Sequence, residues 1–224
     1  AAILPHLAPG GIWDGAMAAQ MTADLVGKFS MTEHEAAQAV HEVMGWEAAS
    51  VHTSCELAWR LSSKRFRWQP DAIAALLWNL RDGEGTGTPA SGQDHSAEWD
   101  ALDLSQLGDA LLERGWDVED IAELVGEFPL AWDVDMSADL IGGLNWGLER
   151  TAFLLRSLIS LESRSPPELA TFIHSLRIRH QWETGEVSAL LREALVDANP
   201  YTSGNIASCA ELSASLESVD DCQW

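Results

Sequence analysis

Lysine is almost missing from this sequence: two residues, Lys28 and Lys64, stand against eleven arginines in 224 positions. Cysteine is scarce as well. Cys55, Cys209 and Cys222 are odd in number and widely spaced, so the chain carries no readable disulfide framework and no CxxC-type zinc site. A reducing compartment fits that usage. The opening AAILPHLAPGG has no basic leader and no long apolar core, so it reads as lacking a secretory signal, and its missing Met reads as a trimmed start. The expected location is therefore the cytoplasm. The longest apolar run, 140–161, contains Glu149, Arg150 and Arg156. A charge at the bilayer centre is costly, which makes this a buried helix rather than a membrane span. No segment alternates at period two, which argues against strands. Dinucleotide, Walker, nucleophile-elbow and HExxH motifs are all absent.

Acid is what the sequence has in excess. Thirty-five Asp and Glu against thirteen Lys and Arg give a net charge of −22. Phosphate neutralisation needs surplus cations, so direct nucleic-acid binding is not expected. Carboxylates with little lysine also keep a surface hydrated in high salt; coding bias and halophilic adaptation both produce that pattern. The charge is unevenly spread. Residues 59–68 hold four cations and no acid, whereas residues 69–140 hold seventeen carboxylates against two arginines.

The apolar pattern is helical almost throughout. Trp13, Met17, Met21 and Leu25 recur every four residues. Thr32 and Glu35 form a capping-box pair ahead of Ala36, Val40, Val43 and Met44. A third helix is expected over 46–61, and Pro70 suits the first turn of a fourth that carries Ile73, Leu76, Leu77 and Leu80. The pattern then stops: residues 82–97 contain no large apolar side chain and read as a linker or long loop. Helices resume at Asp103 with Gln106 as its capping partner, end at Gly115, restart at the cap Asp117 and stop at Pro129. A long apolar segment spans 137–163, with Gly142, Gly143 and Gly147 near its start. Ser165-Pro166-Pro167-Glu168 is a strong helix start, and another helix covers 184–196. A weak amphipathic pattern at Ile206, Cys209, Leu212 and Leu216 closes the chain. The expectation is an all-α protein of nine or ten helices, built as an orthogonal bundle or a short helical-hairpin array. The starts near Phe29, Trp68, Trp116 and Arg164 resemble one another, as hairpin repeats would. The expected division is a helical subdomain over 1–82, a linker over 83–99, a second helical subdomain over 100–200 and a Ser-rich acidic tail over 201–224.

Two surfaces stand out as binding candidates. The first is a basic–aromatic edge of Arg60, Lys64, Arg65, Arg67 and Trp68, where charge and stacking act together on an acidic group. The same cations also suit the C-terminal end of a helix dipole. The second is an acidic face of Asp117, Glu119, Asp120, Glu123, Asp133 and Asp135. The leading expectation is a non-enzymatic protein–protein interaction module whose partner is another protein or a second copy of itself. No cofactor or metal is implied.

Two alternatives use other residues. The acids of 69–140 suit an inhibitor that mimics DNA charge. His34, His41 and neighbouring Glu suit a helical metal enzyme, although the Glu-x-x-His pairs of di-metal bundles are missing, since Gln38 and Ala49 stand where Glu is needed. Asp133, Asp135 and Asp139 lack the Gly and terminal Glu of a calcium loop. Cys55 lies one helical turn after His52 but has no third partner to make a nucleophile. Residues 112–126 resemble the first half of a helix-turn-helix, yet the stretch that follows carries no cation with which to read DNA.

Overall fold

The computed structural model describes residues 15–44, 51–82, 99–130, 132–161 and 164–195. Among them are ten helices and no strand. The chain divides into two compact units, Ala1–Pro129 and Leu130–Trp224.

The first unit contains α1 (Gly15–Phe29), α2 (Glu33–Met44), α3 (Val51–Ser62), α4 (Pro70–Asp82), α5 (Ala101–Glu113) and α6 (Val118–Gly126). Each helix packs on the next but one: α1 on α3 and α3 on α5, α2 on α4 and α4 on α6. Successive helices also pair as hairpins, α1 with α2, α3 with α4, α5 with α6. The result is a two-layer array of three hairpins. Fully buried Ala18 and Ala19 on α1, Ala36 and Ala37 on α2 and Ala58 on α3 let the helix axes approach closely. Leu57, Leu61, Ile73, Leu76, Leu77, Leu104, Leu107, Leu111, Ile121 and Leu124 fill the space between layers. Phe128, just past α6, is buried edge-on to Trp99 at 5.1 Å and to Trp78 at 6.3 Å between centroids. The Trp99 indole N–H donates to the Leu77 carbonyl at 3.2 Å.

The second unit contains α7 (Val134–Gly143), α8 (Leu148–Leu158), α9 (Pro166–Ile178) and α10 (Thr184–Ala194). It repeats the pattern, with α7 on α9 and α8 on α10. Of the two architectures expected, the hairpin array describes both units.

Helix starts follow their caps. Thr32 N–H donates to Glu35 Oε2 at 2.9 Å while the Glu35 N–H donates to the Thr32 hydroxyl at 3.2 Å. Those two Thr32 donors, the N–H first and then the hydroxyl, hold the Glu35 carboxyl below its usual range. Ser165 N–H and Oγ both donate to Glu168, at 2.8 and 2.7 Å. Asp117 accepts from the Asp120 N–H at 2.9 Å.

Several expected boundaries move. α5 begins at Ala101, because Asp100 rather than Asp103 is the cap and accepts the Asp103 N–H at 2.8 Å. The apolar segment 137–163 is two helices, with Leu144 leaving α7 in extended backbone and Gly147 capping α8. The 83–99 linker lies outside the described residues apart from Trp99, and the helices before and after it, α4 with α5 and α6, belong to one compact unit. The 201–224 tail and the pattern at 206–216 also lie outside.

Helix exits share a device that the sequence reading caught only once. Four of them turn on a left-handed residue: Ser30 (φ 56°), Arg67 (φ 58°), Gly115 (φ 89°) and Gln181 (φ 60°). The residue after each is large, and its N–H donates back to a leucine carbonyl. Met31 reaches Leu25 at 3.2 Å, Trp68 reaches Leu61 at 3.0 Å, Trp116 reaches Leu111 at 3.1 Å and Trp182 reaches Leu176 at 3.1 Å. These bonds satisfy carbonyls that the helix leaves open, as C-terminal capping motifs do. A left-handed non-glycine residue costs about 1–2 kcal/mol, so the bond and the large apolar residue must offset that at three of the four corners.

Candidate interaction surface

The basic–aromatic stretch is the corner between α3 and α4. Phe66 and Arg67 N–H groups both donate to the Ser63 carbonyl, at 3.0 and 2.8 Å, and Arg67 Nε donates to the Lys64 carbonyl at 3.2 Å. This turn holds Lys64, Arg65 and Arg67 exposed. Arg65 lies over the Phe66 ring at 5.0 Å. Trp68 is half-buried and serves as the apolar residue of the corner. Arg60 is set apart from the others, because its guanidinium is engaged by Glu56 at 2.8 and 3.0 Å. It also lies 5.5 Å from the centre of the Trp59 ring.

Arg114 belongs with this surface, and nothing in the linear order of residues marks it. It comes from the end of α5, fifty-five positions after Trp59, and lies 5.4 Å from the centre of that ring. Trp59 is 40% exposed. Two guanidinium groups on one accessible indole form a platform held by cation–π attraction.

Cations at helix exits complement the dipole, and all four left-handed corners carry them. At each of the four a cation is engaged, Arg60 by Glu56 at the α3–α4 corner and one cation at each of the others. Lys28 meets Asp24 at 3.1 Å, Arg114 meets the Trp59 ring, and Arg179 meets Asp139 at 3.3 Å and Asp135 at 3.7 Å. At the α3–α4 corner, Lys64, Arg65 and Arg67 have no carboxylate partner among the described residues.

The acidic candidates are divided between the units. Asp117, Glu119, Asp120 and Glu123 lie exposed along α6 in the first unit. Asp120 is raised above the ordinary carboxylate range by partial burial, then by repulsion from Asp117 and Glu119. Asp135 lies on α7 and Asp133 immediately precedes it, both in the second unit. Asp133 is the α7 cap, accepting from the Met136 N–H at 2.8 Å. Asp135 accepts from the Ser175 hydroxyl at 3.0 Å and faces Arg179.

Among the described residues no three metal-ligating side chains come together. His34 is exposed and hydrogen-bonded to Asn79 Oδ1 at 2.7 Å; the His41 side chain lies outside the described residues. Among the described residues no helix is long and apolar enough to cross a membrane. Cys55 is buried, and desolvation pushes its thiol up to about 11. At neutral pH roughly one molecule in 10⁴ would then carry a thiolate, the reactive form. In a Cys209→Ser/Cys222→Ser variant we expect almost no labelling of native protein by a disulfide reagent at pH 7 and prompt labelling in denaturant. Fast native labelling would contradict the burial.

No protein-family model, curated protein or solved structure gives a significant match to this chain.

Proposed function

We propose that this protein is a non-enzymatic helical interaction module whose α3–α4 corner docks an acidic protein surface. The single observation that carries the reading is the state of the corner cations. Each corner engages a cation internally, here Arg60 with Glu56, and this one holds three further cations, Lys64, Arg65 and Arg67, exposed and without a carboxylate partner among the described residues, on a chain of net charge −22. Two further features support it. Stacked helical hairpins offer extended surfaces suited to macromolecular partners. Arg and an accessible Trp are the residue types that carry binding energy at interfaces.

The test is capture from a lysate of the source cells. We expect wild type to retain a stoichiometric partner that Lys64→Glu/Arg65→Glu loses, with helical circular dichroism unchanged. A rim charge acts mainly on association, so capture should also weaken as salt rises. Equal capture by the double variant would defeat the proposal, and lost helix in that variant would show that these cations hold the fold instead.

A further inference from the structure

We infer that the corner cations form half of a two-fold contact, and that the acidic partner they meet is the exposed face of α6 on a second copy of this chain. The inference rests on the interaction-surface reading above and names its partner.

Both surfaces belong to the first unit. Glu119 and Glu123 stand one helical turn apart, hence on one face of α6, and both are exposed. Neither they nor Asp120 has a cation partner among the described residues. The cationic corner is in the complementary condition, with charge exposed and no carboxylate partner among the described residues. No ion pair among the described residues joins the two patches.

They do adjoin. Trp59 precedes the corner by one helical turn, and Arg114 lies over its ring at 5.4 Å. Asp117, the first residue of the acidic patch, follows Arg114 by three positions. At 3.8 Å between successive Cα atoms, at most about 11 Å separates them. Patches of opposite sign on one unit suit an isologous dimer: a half-turn sets each cationic corner against the other copy's α6, making the same contact twice. The exposed Trp59 then lies near the junction, where an aromatic anchor contributes most.

Two chains of −22 repel at long range. At about 0.15 M salt charges more than ~8 Å apart are largely screened, so contacting pairs keep their attraction; at about 1 M the screening length falls to ~3 Å and those pairs weaken too.

Charge exchange tests the pairing. One variant reverses the corner (Lys64→Glu/Arg65→Glu), and another reverses the α6 face (Glu119→Lys/Glu123→Lys). Arg67 stays because it closes the turn, and Asp117 stays because it caps α6. By sedimentation velocity at about 0.15 M salt we expect wild type to dimerise and each variant alone to lose about tenfold or more in affinity. An equimolar mixture of the two should dimerise again, since each reversed surface then meets its opposite. Should either variant lose helical circular dichroism, Lys64→Gln/Arg65→Gln and Glu119→Gln/Glu123→Gln replace them, and the same losses are expected.

Wild type that stays monomeric overturns the pairing, as do variants that dimerise alone or a mixture that does not. The two readings fail separately. A monomeric wild type whose captured partner still depends on Lys64 and Arg65 overturns self-pairing only. Capture indifferent to those cations overturns the surface reading itself.

Discussion

Phe128→Ala should cost the first unit about 3–5 kcal/mol, the range for truncating a fully buried phenylalanine. Its ring is 2% exposed and meets Trp78 and Trp99 edge-on, so the cavity would be lined by two large rings that cannot both move in to fill it. Trp99 is additionally tethered through its indole N–H to the Leu77 carbonyl. Domains are stable by only about 5–15 kcal/mol, so the loss would be a large fraction of the total. Urea unfolding followed by near-ultraviolet dichroism of the tryptophans measures it. Leu102→Ala, at a position 54% exposed, should stay within about 0.5 kcal/mol of wild type and serves as the control. Equal effects from the two substitutions would mean that Phe128 is not packed as described.

Gly142→Ala should also destabilise, by about 1–3 kcal/mol, although alanine favours helix over glycine by roughly 1 kcal/mol. A Cβ at position 142 would come within 3.0 Å of three ring atoms of His180. The ring has little room to retreat. Its Nε2 is paired with Asp139 Oδ1 at 3.0 Å, and Arg179 occupies the same carboxylate. The sign should reverse once the ring is gone: in a His180→Ala background, Gly142→Ala should stabilise by the ordinary helix-propensity gain. A destabilisation that survives removal of the ring would place its cause elsewhere on α7. Thermal unfolding of the four variants in this cycle decides between the two outcomes.

The all-α class and most helix starts were legible because their causes are local. Thr32 with Glu35, Asp117 with Asp120 and Ser165 with Glu168 are each contained within four residues. The same locality explains the misplacement at Asp103: Asp100 and Asp103 are both acids ahead of an apolar stripe, and only the burial of Trp99 and Ala101 fixes which of them caps. The corners were legible only at Gly115, where the left-handed residue is a glycine. Ser30, Arg67 and Gln181 adopt that conformation for the sake of a following Met or Trp, a preference that no composition rule flags. Of the interaction surface, the run from Arg60 to Trp68 was contiguous and readable. Arg114 was not, because its approach to Trp59 depends on α5 stacking over α3. The pairing of Asp135 and Asp139 with Arg179 and His180 was hidden for the same reason, being set by the α7–α9 contact some forty residues apart in sequence.

Packing each helix on its neighbour and its next-but-one has a kinetic consequence. Within each unit, nearly every contact joins residues one or two helices apart, so loops to be closed during folding are short. Low contact order places such chains at the fast end of folding rates. Any single hairpin can act as a nucleus from which order spreads in both directions. The exception is the connection from α4 to α5, where α5 must find α3 across eighteen positions, 83–100. Closing a longer loop raises the entropic barrier only slowly, by about 0.6 kcal/mol per doubling of length, so that step sets the pace without blocking it.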